Sequence, residues 1–119
     1  MNTQDIANDL VKLCKKGRFA DAVEKYYSPK IVSVESGGDA PEARGLPAVK
    51  AKGDWWISNH QVHRMDVDGP YVRKNQFVVR FTADVTFKPE KRRFVLDELA
   101  IYTVKAGRIV HEKFFYHAG

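Results

Sequence analysis

Near residue 60 the hydrophobic period of this sequence changes. Before it, apolar residues recur every three or four positions. After it they recur every second position: Phe77, Val79, Phe81, Ala83, Val85 and Phe87 alternate with Val78, Arg80, Thr82, Asp84 and Thr86. Side chains of a strand point alternately to its two faces, so this run predicts a long strand with one apolar face. Val62 to Asp68, Arg93 to Val104 and Arg108 to Tyr116 read as three more strands. Their turns fall at Asp68-Gly69-Pro70, Lys88-Pro89-Glu90 and Ala106-Gly107. Four strands joined this closely form an antiparallel meander.

Upstream, Ile6, Leu10 and Leu13 predict a helix over 4–16, capped by Asn2 or Thr3 and stopped at Gly17. Phe19, Val23, Tyr26 and Tyr27 predict a second helix over 18–27, ended by Ser28-Pro29. Ile31 to Glu35 is a short β-branched strand. Ser36 to Pro47 carries three glycines and two prolines and reads as a long loop with room for a function. Leu46, Val49, Gly53, Trp56 and His60 predict a third helix over 47–59. Helices gathered on one face of an antiparallel sheet make an α+β fold, here one domain over all 119 residues.

Several segments, taken in order, carry a family likeness. Tyr26-Tyr27-Ser28-Pro29 leads into the first strand, Gly45 stands with Val49 and Trp56, and the chain closes on Tyr102-Thr103-Val104-Lys105-Ala106-Gly107-Arg108-Ile109-Val110-His111-Glu112-Lys113-Phe114-Phe115-Tyr116. From about residue 4 to 117 the sequence resembles SnoaL-like domains of the nuclear-transport-factor-2-like superfamily. The resemblance implies a cone, with a curved antiparallel sheet wrapped around three N-terminal helices and a deep apolar pocket inside. It implies a homodimer through the outer face of the sheet. It also implies activities that range from polyketide cyclase and ketosteroid isomerase to simple binding. The steroid-isomerase pattern itself is broken. Its base position falls on Ser36, and its two oxyanion positions fall on Leu10 and on Leu99 or Ala100, none of which can do that chemistry.

Which residues face the pocket depends on the last hairpin. A two-residue turn at Ala106-Gly107 pairs Thr103 with Val110 and Ile101 with Glu112. A turn with Gly107 as a bulge residue pairs Tyr102 with Val110 and Ala100 with Glu112. The bulge is the expected form, because a two-residue primed turn demands a positive φ of Ala106. It puts Glu98, Ala100, Tyr102, Val110, Glu112, Phe114 and Tyr116 on one face, and the family pattern turns that face inward. Glu98 and Glu112 are then the candidate catalytic pair, since burial and mutual repulsion raise a carboxyl pKa and can separate an acid role from a base role. The structural alternative is that Glu112 pairs with Arg80 or satisfies buried hydroxyls, and that Glu98 is a rim residue. Tyr27, Trp56, His60, Tyr102, Phe114 and Tyr116 are the candidate ligand contacts, with packing as the competing role. Leu99, Ile101 and Phe115 fall on the outer face.

The net charge of +5 comes from Lys12, Lys15, Lys16 and Arg18 beside a helix end and from Lys88, Lys91, Arg92 and Arg93 in a connection. Neither group carries a nucleic-acid motif, so the expected partner is a small hydrophobic molecule and not nucleic acid. Asp84 and Arg80 read as a pair on the outer face. No apolar run is long enough for a membrane helix, and the polar start is not a secretory leader. The single Cys14 reads as buried and inert, and points to a reducing, cytoplasmic setting. His60, His63, His111 and His117 lack a metal-ligand spacing, and no cofactor motif is present, so neither a metal nor a cofactor is expected.

Overall fold

The computed structural model describes residues 1–38 and 41–116. Helices α1 (Thr3–Lys15) and α2 (Phe19–Tyr26) are followed by strand β1 (Tyr27–Val34), short strand β2 (Glu42–Arg44) and helix α3 (Leu46–Asn59). Strands β3 (His60–Arg73), β4 (Gln76–Phe87), β5 (Arg92–Lys105) and β6 (Arg108–Tyr116) complete the chain. The six strands form one unclosed sheet in the order β2-β1-β6-β5-β4-β3. The meander β3–β6 is antiparallel, as the alternation requires, while β1 joins β6 in parallel. The result is an α+β cone whose helices line one face of the sheet. Among the described residues no helix is long and apolar enough to cross a membrane.

Helix α1 starts where the Asn2 side chain accepts the Asp5 N–H at 2.8 Å, and its Ile6, Ala7, Leu10, Val11 and Cys14 are buried. They meet the inner face of the meander, where Phe77, Val79, Phe81, Ala83, Val85, Ala100, Tyr102, Val104 and Ile109 are also buried. The alternation is therefore the buried face of β4 from Phe77 to Val85, with Phe87 half-buried at its end. The Cys14 thiol lies in this apolar setting, and burial pushes its pKa up to about 12.

Four expectations are corrected. Tyr27 lies in β1 and not in the second helix. Pro29 has no N–H to give the ladder, and pairing with β6 breaks between Tyr27 and Val32 while the strand runs on. The loop over 36–47 contains β2, which pairs Val32 with Arg44 and Val34 with Glu42; Asp39 and Ala40 lie outside the described residues. Asp68-Gly69-Pro70 is not a turn. It is an irregularity inside β3, and the chain reverses at Lys74-Asn75 instead. Gly69 is held at φ +131°, and a Cβ there would stand 3.0 Å from the Val78 carbonyl oxygen, so the backbones approach too closely for a side chain.

The fourth correction concerns the last hairpin. Ala106 and Gly107 both take positive φ, 51° and 75°, in a two-residue turn that pairs Lys105 with Arg108 and Val104 with Ile109. The strain at Ala106, about 1 kcal/mol, is accepted. A bulge then falls beyond the turn, at Val110, and Thr103 pairs with His111 and Tyr102 with Glu112. That bulge restores the expected inner face for Tyr102, Glu112, Phe114 and Tyr116, but puts Ile109 inside in place of Val110.

Phe77 is fully buried and stacks on Tyr102 with ring centroids 4.8 Å apart. Phe77→Ala is expected to cost about 3–5 kcal/mol, measured as a lower urea midpoint, whereas Val78→Ala on the outer face should cost no more than about 1 kcal/mol.

Candidate functional site

Glu112 is the polar centre of the cone. It lies between Tyr102 of β5 and Ser33 of β1, and is 3% exposed. The Tyr27 hydroxyl donates to Oε1 and the Ser33 hydroxyl donates to Oε2 at 3.1 Å. Lys52 of α3 reaches into the same group: its ammonium donates to Ser33 Oγ and pairs with Glu35 Oε1 at 2.8 Å. It also stands 5.3 Å from the centre of the Phe114 ring. An ammonium, a hydroxyl and a carboxylate thus run in series from α3 through β1 to β6. Arg80, offered from sequence as a partner of Glu112, is on the other face and pairs with Asp97 at 2.8 Å; Asp84 in turn pairs with Arg93 at 2.7 Å. Arg80 and Asp84 are on one strand, four residues apart, and each reaches across to β5.

Burial raises the pKa of Glu112 against the pull of its two hydroxyl donors and Lys52. Glu98 of β5 is half-buried on the same inner face, level with Tyr116. Burial first, then the Glu35 and Glu112 carboxylates, pushes its carboxyl up to about 7. Among the described residues it makes no salt bridge. Three carboxylates, Glu35, Glu98 and Glu112, therefore share one ammonium, and a proton on Glu98 near neutrality is the cheapest way to relieve the excess charge. Burial and a hydrogen bond with Glu35 push the Tyr116 hydroxyl up to about 12, so it stays a donor. Tyr27 and Tyr102 are raised further by burial and by Glu112.

The sequence candidates fall into two layers. Tyr27 and Tyr102 are core residues beneath Glu112. Phe114, Tyr116, Trp56 and His60 are half-buried and lie farther out. His60 stacks on Trp56, 4.3 Å between centroids, and its Nδ1 is 2.8 Å from the Trp56 carbonyl oxygen. Phe87 and Phe94 complete this aromatic wall. Trp55, the neighbour on the helix, is exposed. His117 lies outside the described residues. Sequence reading missed Ser33, Glu35 and Lys52. The signal was available: Ser33 and Glu35 follow buried Ile31 at steps of two, on the same face, and Lys52 precedes Trp56 by one helical turn. At the broken isomerase positions, Leu10 and Ala100 are both buried, and Leu99 points outward.

Two open cavities stand out, and neither is lined by Glu112, Tyr27, Tyr102 or Trp56. One, about 300 Å3, lies beside Arg80, Asp97, Glu98, Leu99 and Phe115. The other, about 420 Å3, lies between α1 and the irregularity of β3, against Lys12, Lys15, Lys16 and Pro70.

A SnoaL-like domain model matches residues 1–116. The chain belongs to the SnoaL-like family. A solved protein from Mesorhizobium loti, named provisionally as a SnoaL-like polyketide cyclase with the added label carbohydrate phosphatase, is 43% identical. It covers 98% of this chain and 100% of its own, with a TM-score of 0.94. A nuclear-transport-factor-2-like protein from Burkholderia thailandensis, 16% identical, covers 98% of this chain and 92% of its own at TM-score 0.83. A Rhodopseudomonas palustris protein, named provisionally as an isomerase, is 10% identical and covers 90% of this chain and 82% of its own at 0.69. These last two share the fold. No functionally curated protein matches the sequence.

A carboxyl whose pKa rises on folding holds its proton more tightly in the folded state. Between the ordinary glutamate value of 4.5 and about 7 the native protein then binds more protons than the unfolded chain, and stability falls as pH rises. Thermal melts from pH 4.5 to 8 should show this fall, roughly 3 kcal/mol at most. Glu98→Gln should flatten it and leave the variant more stable than the parent at pH 8; an unchanged slope would place the titration elsewhere.

Proposed function

We propose that this SnoaL-like domain is an enzyme that moves a proton on a hydrophobic carbonyl compound, as an isomerase, cyclase or hydratase does. The observation that carries this reading is the placement of two carboxyls, Glu98 and Glu112, on the inner face of adjacent strands, with burial pushing Glu98 up to about 7, where it serves as acid and base at one pH. Glu112 is its fixed partner. Held by Tyr27 and Ser33, it lies on the same inner face and shapes the floor of the site. The ligand side is the half-buried layer of Trp56, His60, Phe114 and Tyr116, with Tyr27 and Tyr102 behind it. The provisional names of the Mesorhizobium loti and Rhodopseudomonas palustris proteins support a cyclase or isomerase. The reading needs no cofactor, and the lone free thiol of Cys14 supports a cytoplasmic setting.

A panel of hydrophobic ketones, esters and aromatic acids, screened by thermal shift and then for turnover, tests the reading. A ligand at a hundred times its dissociation constant adds about 2.7 kcal/mol of stability. Glu98→Gln is expected to lower kcat by about a hundredfold or more with ligand affinity retained. Full turnover in that variant would leave a binding domain, not an acid–base enzyme.

A homodimer through the outer face of the sheet is the second part of the proposal. The helices leave that face uncovered, and Leu99 and Phe115, neighbours across β5 and β6, are each 43% exposed. Phe115→Asp places a charge in that patch. Light scattering should give twice the chain mass for the parent and the chain mass for the variant; equal masses reject this interface.

A further inference from the structure

Removing a proton beside a carbonyl leaves negative charge on the carbonyl oxygen, and a site that does this must hold that charge. The two positions that do so in the steroid-isomerase pattern fall on Leu10 and on Leu99 or Ala100 here, all of them apolar. We propose that the ammonium of Lys52 is the oxyanion-binding group of this site, with the substrate carbonyl lying between Lys52 and Glu98. The inference rests on Glu98 acting as the base.

Three observations carry it. Lys52 is held in place before any ligand arrives: its Nζ is bound by Ser33 Oγ and Glu35 Oε1, and its side chain is 29% exposed. An ammonium has three N–H donors, and those two partners take two of them. Through Ser33 it adjoins Glu112, and it stands 5.3 Å from the centre of the ring of Phe114, the inner-face neighbour on β6 of Tyr116, which pairs with Glu98. The other cationic candidates on the inner face are remote. Arg92 lies over Phe87 and Phe94, six residues along β5 from Glu98, which is about 20 Å on an extended strand. His60 lies beside Phe94, four residues from Glu98 or about 13 Å, and its Nδ1 faces the Trp56 carbonyl. Of the tyrosines, Tyr27 donates to Glu112 and Tyr102 is a core residue, 3% exposed.

The step balances without an oxidant or a co-reactant. A Glu98 carboxylate oxygen takes the proton from the carbon beside the carbonyl. The C–H electron pair becomes a carbon–carbon double bond, and the carbonyl π pair moves onto oxygen. Lys52 donates a hydrogen bond to that oxygen and transfers no proton. The neutral Glu98 carboxyl then returns the proton to the same carbon or to a conjugated one.

The test uses 4-nitrophenol, whose ionised form is a planar oxyanion like an enolate and is visible by its absorbance. Binding is measured across pH for the parent, Lys52→Arg and Lys52→Met. The set is repeated on a Glu98→Gln background, so that titration of Glu98 does not enter; Glu35, Glu112 and Tyr116 are the remaining titratable neighbours. The parent is expected to bind the phenolate about tenfold or more tightly than the phenol, which lowers the ionisation pH of the bound probe by about one unit. Lys52→Arg should keep the preference. Lys52→Met should lose it while still binding the neutral phenol within about threefold of the parent, which shows that the variant is folded. A Lys52→Met protein with the parent's preference, or a parent with no preference, overturns the role of Lys52 and leaves the Glu98 reading standing. A parent that binds neither form overturns the pocket and Lys52 together. Loss of the role of Glu98 is read separately, from the turnover of Glu98→Gln.

Discussion

A carboxylate in an apolar cone is the constraint around which the rest of the structure is arranged. Moving a bare carboxylate out of water costs far more than the net stability of a domain this size. Glu112 is tolerable because two hydroxyls donate to it and an ammonium stands behind one of them. These three groups come from three places: the first residue of β1, its last but one, and α3. Satisfying one side chain therefore fixes how β1 lies beside β6 and how α3 crosses above them. The parallel junction of β1 and β6, the single departure from an antiparallel sheet, is the pairing that puts Ser33 opposite Glu112.

The Glu112 group also separates two kinds of carboxyl. Glu112 accepts from two hydroxyls and is confined by packing, so its place is fixed. Glu98 has no such partners and lies farther out, where the same burial acts on a group still free to take up or release a proton. The difference follows from position on two adjacent strands, since both residues have the same side chain. It shows why the fold itself decides little about chemistry. The apolar inner face is what all such cones need, whereas the activity is set by the few polar residues that interrupt it.

Much of this was legible in the sequence because its physical signal is local. Alternation over residues 77–87 named the buried face of β4 residue by residue, and the helical spacing of Ile6 and Leu10 did the same for α1. The inner placement of Tyr102, Glu112, Phe114 and Tyr116 was also legible, although by a different route from the one the chain takes. The turn at Ala106-Gly107 is the form that looked strained, and the bulge falls three residues later, at Val110. Parity survived and the pairing did not. Gly69-Pro70 was misread for a related reason. Glycine before proline signals a break in regular pairing, and whether the chain reverses there or only bends depends on the partner strand. The polar group was the least legible part. Ser33, Glu35 and Lys52 are ordinary surface residue types, and what makes them matter is a contact between segments about 20 to 80 residues apart.

The irregularity at Gly69-Pro70 has a consequence for the company the sheet can keep. Strand β3 is the outermost of its side, fourteen residues long, and such a border offers a row of unpaired peptide groups on which another chain could template itself. Here the row is interrupted. Pro70 has no N–H to offer, Gly69 turns the backbone out of register, and the exposed charges of Arg64, Asp66 and Asp68 crowd the stretch before it. A strand docking there would meet a broken ladder and have to desolvate ions, so growth of the sheet sideways is discouraged.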